Sequence, residues 1–251
     1  TELVARCLRA FPAETAPGPT GLRVQHLREA CVAGARDSLL IQVVAVVNLL
    51  AQGRAPSFVA PTLGGAGLVA LPKTGGGVRP VAVGELLRRL TGKCLMQLVR
   101  EDARSYFWPA QVGVAVKGGA EKAIHAVRAW THRRAGSSQK VLVKLDFSNA
   151  FNCVDRDAVL QQARAQFPAL ARWATWCYQQ PTRLQFGDRV LESAAGVQQG
   201  DPLGPLLFAG ALQPLASDLR SGGTLDMAVH FLDDGVLAGD LAATGAALRL
   251  V

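Results

Sequence analysis

An apolar run that ends in an aspartate, and a pair of aspartates set between two further apolar runs, restrict this 251-residue chain more than its other features do. The first run covers 141–145 and is closed by Asp146. The second feature is a run over 226–232, then Asp233 and Asp234, then a short run over 236–238. Apolar runs of this length bounded by turn residues predict strands, and the second feature predicts a hairpin. If these strands are neighbours in one sheet, three carboxylates converge at one edge. Such a cluster is repulsive unless cations fill it. Hard oxygen ligands suit Mg²⁺, which takes one or two carboxylates together with substrate phosphates. Two such ions, about 3.5–4 Å apart, form a clamp for in-line phosphoryl transfer. A plainer reading stands beside this one: an aspartate at a strand end or hairpin tip commonly serves the turn alone.

The rest of the chain alternates helices with short strands. Helices are predicted over 2–11, 21–33 and 38–52, with Asp37 or Ser38 as cap and Gly53 as stop. Apolar runs over 67–71 and 78–83 flank Pro72-Lys73-Thr74-Gly75-Gly76-Gly77, a hairpin signal. Helices follow over 85–104 and 119–134, another starts near Asp155 or Asp157, and a further one covers 169–179. Runs over 183–186 and 189–192 flank Gly187-Asp188, again a hairpin signal. Asp201-Pro202 reads as a helix start, with Asp as N-cap and Pro at the first position. A last helix begins near Leu241. Strands with helices between and after them give an α+β or α/β class.

Composition removes several functions. Hydrophobic residues make up 49% and charged ones 18%, which is ordinary globular composition. The apolar stretch over 39–50 is shorter than the roughly 20 residues of a spanning helix, so no membrane role is expected. The five cysteines are scattered and lack a C-x-x-C, so a disulfide framework or zinc ribbon is not expected. Metal-spaced histidines, a G-x-S-x-G and a P-loop are missing too. The net charge of +8 is uneven. From Lys73 to Lys144 there are 14 basic residues against four acidic ones. That surplus predicts a region that touches phosphates, with Arg88, Arg89 and Lys93 as candidate nucleic-acid ligands.

Several segments resemble reverse transcriptases. Phe231-Leu232-Asp233-Asp234 resembles their x-x-D-D box. The segment from Val143 through Asp146 and Phe147 to Phe151 is similar to their first carboxylate motif, an aspartate followed five residues later by an aromatic. Gly196-Val197-Gln198-Gln199-Gly200-Asp201-Pro202-Leu203-Gly204-Pro205 is similar to the G-x-x-Q-G-x-P-L-S-P motif. Leu71-Pro72-Lys73 and Arg79-Pro80-Val81 resemble the fingers motif L-P-K…R-P-I. Ala16-Pro17-Gly18-Pro19-Thr20-Gly21, Gln111-Val112-Gly113 and Gly119-Ala120-Glu121 resemble upstream segments of the non-LTR retrotransposon type. The motifs stand in the family's order. Asn152, Phe231, Gly204 and Glu121 depart from its usual Asp, Tyr, Ser and Thr.

The resemblance implies a right-hand polymerase of α+β class, with fingers, and with a palm made of an antiparallel sheet and packed helices. It implies RNA-templated DNA synthesis from an RNA template, a DNA primer and a dNTP. Asp146, Asp233 and Asp234 would be the catalytic carboxylates. With the Phe147 carbonyl they would hold two Mg²⁺ ions, Mn²⁺ being the alternative. Lys73 and Arg79 would clamp the triphosphate. Phe151 would exclude a 2′-hydroxyl, and Gln199 and Gly200 would line the nascent base pair. The implied organisation is a helical extension over 1–64, fingers over 65–139, and a palm over 140–251 with a fingers excursion near 160–195. The chain is expected to be part of an intracellular, retroelement-type polyprotein, nuclear or cytoplasmic. Its thumb is expected past Val251, and an endonuclease is a candidate further segment. Two rival functions stay open: an RNA-dependent RNA polymerase on the same palm, and a non-catalytic nucleic-acid-binding remnant.

Overall fold

The computed structural model describes residues 1–31, 36–134 and 136–251. In chain order the helices and strands are α1 (Glu2–Arg9), α2 (Val24–Ala30), α3 (Arg36–Ala51), α4 (Ala60–Leu63), β1 (Ala66–Pro72), β2 (Val78–Gly84) and α5 (Leu86–Leu98). Next come α6 (Arg100–Phe107), α7 (Gly119–Arg133), β3 (Lys140–Asp146), α8 (Ala150–Cys153), α9 (Arg156–Gln166) and α10 (Pro168–Tyr178). The chain ends with β4 (Thr182–Phe186), β5 (Arg189–Ser193), α11 (Gly204–Ser221), β6 (Leu225–Phe231), β7 (Asp234–Asp240) and α12 (Leu241–Leu248). The mixed α+β class is the expected one. The end of the helix predicted over 21–33 lies outside the described residues.

The chain divides into two compact units. The first comprises Thr1–Val99 and Asn152–Gly204, the second Arg100–Phe151 and Pro205–Val251. The helix predicted over 85–104 is two helices. Val99 (φ −96°, ψ 8°) leaves the helical basin, and α6 starts afresh at Arg100. No glycine or proline marks that break.

In the first unit, α1, α2, α3 and α5 bury Val4, Leu8, Phe11, Val43, Val47, Leu86 and Leu90 in one cluster. These apolar residues recur at helical spacing, so each helix buries one stripe. The sheet beside it has the order β2-β1-β4-β5. β1 and β2 pair antiparallel along their whole length, from Ala66↔Gly84 to Pro72↔Val78. β1 meets β4 in parallel through only Ala66↔Leu184 and Gly67↔Gln185. Burial along β1 therefore falls from Ala66 outward, and the far half of the hairpin is exposed.

The second unit is built on a three-stranded antiparallel sheet, β3-β7-β6. One of its faces is covered by a cluster of Leu219, Ala228, Leu237 and Ala247, joined by Leu145 and Leu215. In β3 the side chains alternate: Leu142, Lys144 and Asp146 are exposed, while Val141, Val143 and Leu145 are half-buried. This period-two pattern puts the odd positions toward the helices and the even ones on the open face. At the β6 edge, Gln111 forms a parallel bridge to His230, which adds a short extra strand to the sheet.

Candidate active site

The open face of the second unit's sheet gathers the carboxylates. Asp146 ends β3 and stands directly opposite Asp234, the first residue of β7. Facing residues of an antiparallel pair have Cβ atoms about 4.5–5.5 Å apart, and like charges so placed repel. Phe231 pairs with Asp234 across the hairpin, so Leu232 and Asp233 form a two-residue loop. Leu232 has φ 57°. A positive φ at the first loop position suits the twist of the strands but favours glycine, and such strain persists only where surroundings over-determine it.

Lys144, on the same face of β3, reaches Asp234 with its Nζ 3.1 Å from Oδ1. The hydrogen bond to Asp234, then the charges of Asp234 and Asp146, push this lysine's pKa up. In sequence, the signal for this pairing is the position of Lys144 two residues before Asp146 on a strand.

Among the described residues, no three His, Cys, Asp or Glu side chains are grouped to hold a metal ion. Asp146 and Asp234 are brought together by register. Asp233 belongs to the turn next to Asp234. The donor chemistry still fits a hard cation: two exposed carboxylates face each other, and an ammonium group already sits on one of them.

Phe151, on α8, stacks its ring on Phe208 of α11 with centroids 4.6 Å apart and an interplanar angle of 19°. Phe208 is buried, so the half-buried Phe151 is held in one place.

The remaining expected residues lie in the first unit. Lys73 and Arg79 are exposed on the β1–β2 hairpin. Its turn closes with Lys73 N–H donating to the Gly77 carbonyl, and Gly75, Gly76 and Gly77 all have positive φ. Gln199 accepts from Ala82 N–H through its backbone carbonyl at 2.7 Å. Gly200 has φ 117°, and a Cβ there would overlap the Ala82 carbonyl. The loop can therefore lie this close to β2 only with glycine.

Arg88 is not a nucleic-acid ligand. It is 1% exposed, and its guanidinium donates to the Gly64 carbonyl, to Gln198 Oε1 and, at 2.7 Å, to Asp201 Oδ2. Tyr178 donates to the same Asp201 oxygen at 2.7 Å. Asp201 Oδ1 accepts from Leu203 N–H, and α11 begins only at Gly204. Asp201 is thus the centre of a buried polar network, and not the simple helix cap expected. Arg89 and Lys93 are also engaged within the chain. Arg89 donates to the Ala16 carbonyl at 2.6 Å, and Lys93 Nζ lies 4.1 Å from the Phe11 ring centroid. These three cations brace α5 against its neighbours, so a basic run in sequence did not mean a basic surface there. Burial pushes the pKa of Cys177 up to about 12.

Comparison with known proteins agrees with this architecture. A family model for reverse transcriptase (RNA-dependent DNA polymerase) matches residues 71–246. The retrotransposable element SLACS 132 kDa protein of Trypanosoma brucei gambiense is 27% identical over 210 residues, which is 80% of this chain. The chain spans 17% of that relative's length. Among solved structures, a telomerase of Candida albicans, in complex with a fragment of telomeric RNA, is similar with a TM-score of 0.55. That match has 11% identity and covers 78% of this chain and 41% of the other. An apo telomerase of Candida tropicalis matches with a TM-score of 0.53 and 12% identity, covering 75% of this chain and 46% of the other.

Proposed function

The chain belongs to the reverse transcriptase family, and from that premise we propose that it carries a polymerising centre for RNA-templated DNA synthesis, as part of a retroelement-type polyprotein. The observation that carries this reading is the pairing of Asp146 with Asp234 on an open sheet face, beside a turn that holds Asp233. An RNA template, a DNA primer and a dNTP are the proposed partners, and the known telomerase complex with RNA supports the first of them.

Asp146 and Asp233, with Asp234 and the Phe147 carbonyl beside them, would hold two Mg²⁺ or Mn²⁺ ions. Bound divalent cations supply Lewis-acid stabilisation of charge on a reacting phosphate. The residues of the chain do the positioning. Asp146 and Asp234 present oxygen ligands from rigid strands, which keeps their placement tight. Lys144 offsets the repulsion between them. Phe151, held flat on Phe208, presents a fixed bulk against a sugar 2′ position and so selects deoxynucleotides. Lys73 and Arg79 offer a point charge and a planar fork to a triphosphate. Gln199 and Gly200 would lie along the nascent base pair.

Primer extension on an RNA template with deoxynucleotides and Mg²⁺ tests the proposal. Asp146→Asn and Asp233→Asn should each lower the rate by about a hundredfold or more, the usual cost of losing a group that stabilises charge in the transition state. Extension that survives either substitution overturns the carboxylate assignment.

A further inference from the structure

The segment Gln111-Val112-Gly113 has no role in the reading so far, yet it is locked against the carboxylate hairpin. We propose that Gln111 is a positioning residue: its carboxamide clamps the Leu232 peptide groups and thereby sets where Asp233 presents its carboxylate. The inference rests on the role proposed for Asp233 above.

Four observations carry it. Gln111 Oε1 accepts the Leu232 N–H at 2.8 Å, and Gln111 Nε2 donates to the Leu232 carbonyl at 3.2 Å. The side chain thus satisfies both backbone groups of the one leucine with a positive φ, as a neighbouring strand would. Gln111 is itself fixed. It is 1% exposed, its N–H donates to the Phe107 carbonyl at 2.9 Å, and its Oε1 also accepts the Gly113 N–H at 2.8 Å. The flanking backbone is laced to β6 on both sides, His230 N–H to the Ala110 carbonyl and Val112 N–H to the His230 carbonyl, each 2.8 Å. Finally, two glycines make room for the approach. A Cβ on Gly113 would lie 2.8 Å from Leu232 N, and one on Gly119 would overlap the Val112 carbonyl.

The residue type matters. Asparagine is one methylene too short to span both Leu232 groups. Glutamate has no donor for the Leu232 carbonyl and would set a charge against it. Leucine avoids this backbone conformation, so without the clamp the turn relaxes. Asp233 is the next residue and moves with it. A glutamine that merely satisfied buried backbone would affect folding and leave the loop's geometry indifferent to Leu232.

Three variants separate these cases: Gln111→Met, which keeps the shape and loses the hydrogen bonds, Gln111→Asn, and Gln111→Met combined with Leu232→Gly. Amide hydrogen exchange, Mn²⁺ titration followed by paramagnetic resonance of free Mn²⁺, and primer extension are read on each. Gln111→Met should speed exchange at the Leu232 and Gly113 amides by about tenfold, the worth of one hydrogen bond, with the Val112 and His230 amides unchanged. Mn²⁺ binding should weaken several-fold, and kcat should fall with the KM for dNTP unchanged. Gln111→Asn should act in the same direction, and decides the matter if the methionine variant does not fold. Adding Leu232→Gly should restore Mn²⁺ affinity, because glycine takes a positive φ freely. Unchanged exchange at Leu232, full Mn²⁺ affinity in both single variants, or no recovery with glycine would each overturn the clamp. Extension that survives Asp233→Asn instead overturns the role proposed for Asp233 and leaves the exchange result standing.

Discussion

Arg88 and Asp201 form an ion pair whose side chains are 2% and 3% exposed. Removing one partner of a buried pair strands the other charge. Arg88→Met is therefore expected to cost about 3–5 kcal/mol, read as a lower midpoint in chemical denaturation. Asp201→Asn should act in the same direction. Replacing both by apolar residues should cost less than the sum of the single changes. His230 makes a pH prediction. Burial pushes its imidazole pKa down, against a smaller upward pull from the Ala110 backbone. A lowered folded pKa means the unfolded chain binds the proton more readily. The stability contributed is present above the ordinary value near 6.5 and is lost as pH falls through the folded pKa. His230→Leu should flatten the decline in stability between pH 7.5 and 5.5, by no more than about 1.4 kcal/mol per pH unit. Phe151→Ala, if the ring guards the sugar, should raise ribonucleotide incorporation in primer extension. No gain would contradict that role.

The β6–β7 hairpin depends on its neighbours as much as on its turn. Gly235 faces His230 across the strands, and a Cβ on Gly235 would lie 2.9 Å from His230 Cδ2. Gly235→Ala should destabilise the chain by about 1–3 kcal/mol, as overpacking does, and pairing it with His230→Ala should recover part of the loss in a denaturation series. The hairpins were legible in sequence because a period of two and glycine turns are local signals. Asp155 was also legible as a cap, and its side chain accepts from Ala158 N–H at 2.7 Å. The break at Val99 was not legible, because no breaker residue marks it. Asp201 looked like a cap for the same reason Asp155 did. A buried arginine 113 residues earlier took one of its oxygens.

Across the whole molecule, the basic surplus is partly spent inside. Arg88 belongs to the interior, whereas Arg104, Arg128 and Arg133 are exposed. Affinity for an RNA–DNA duplex should fall steeply with salt, each phosphate contact adding about 0.9 to the slope. Arg128→Glu should weaken binding and leave the melting temperature unchanged. Arg88→Met should do the reverse in parallel binding and melting experiments. Among the described residues, no helix is long and apolar enough to cross a membrane. The order of the motifs, the class of the fold and the face on which Asp146 and Lys144 lie could all be read from the linear chain, since alternation along a strand is local. That Asp146 meets Asp234, that Arg88 is interior, and that Gln111 grips Leu232 could not. Those outcomes depend on strand register and on which polar groups lose water, and both are set by segments far apart in the chain.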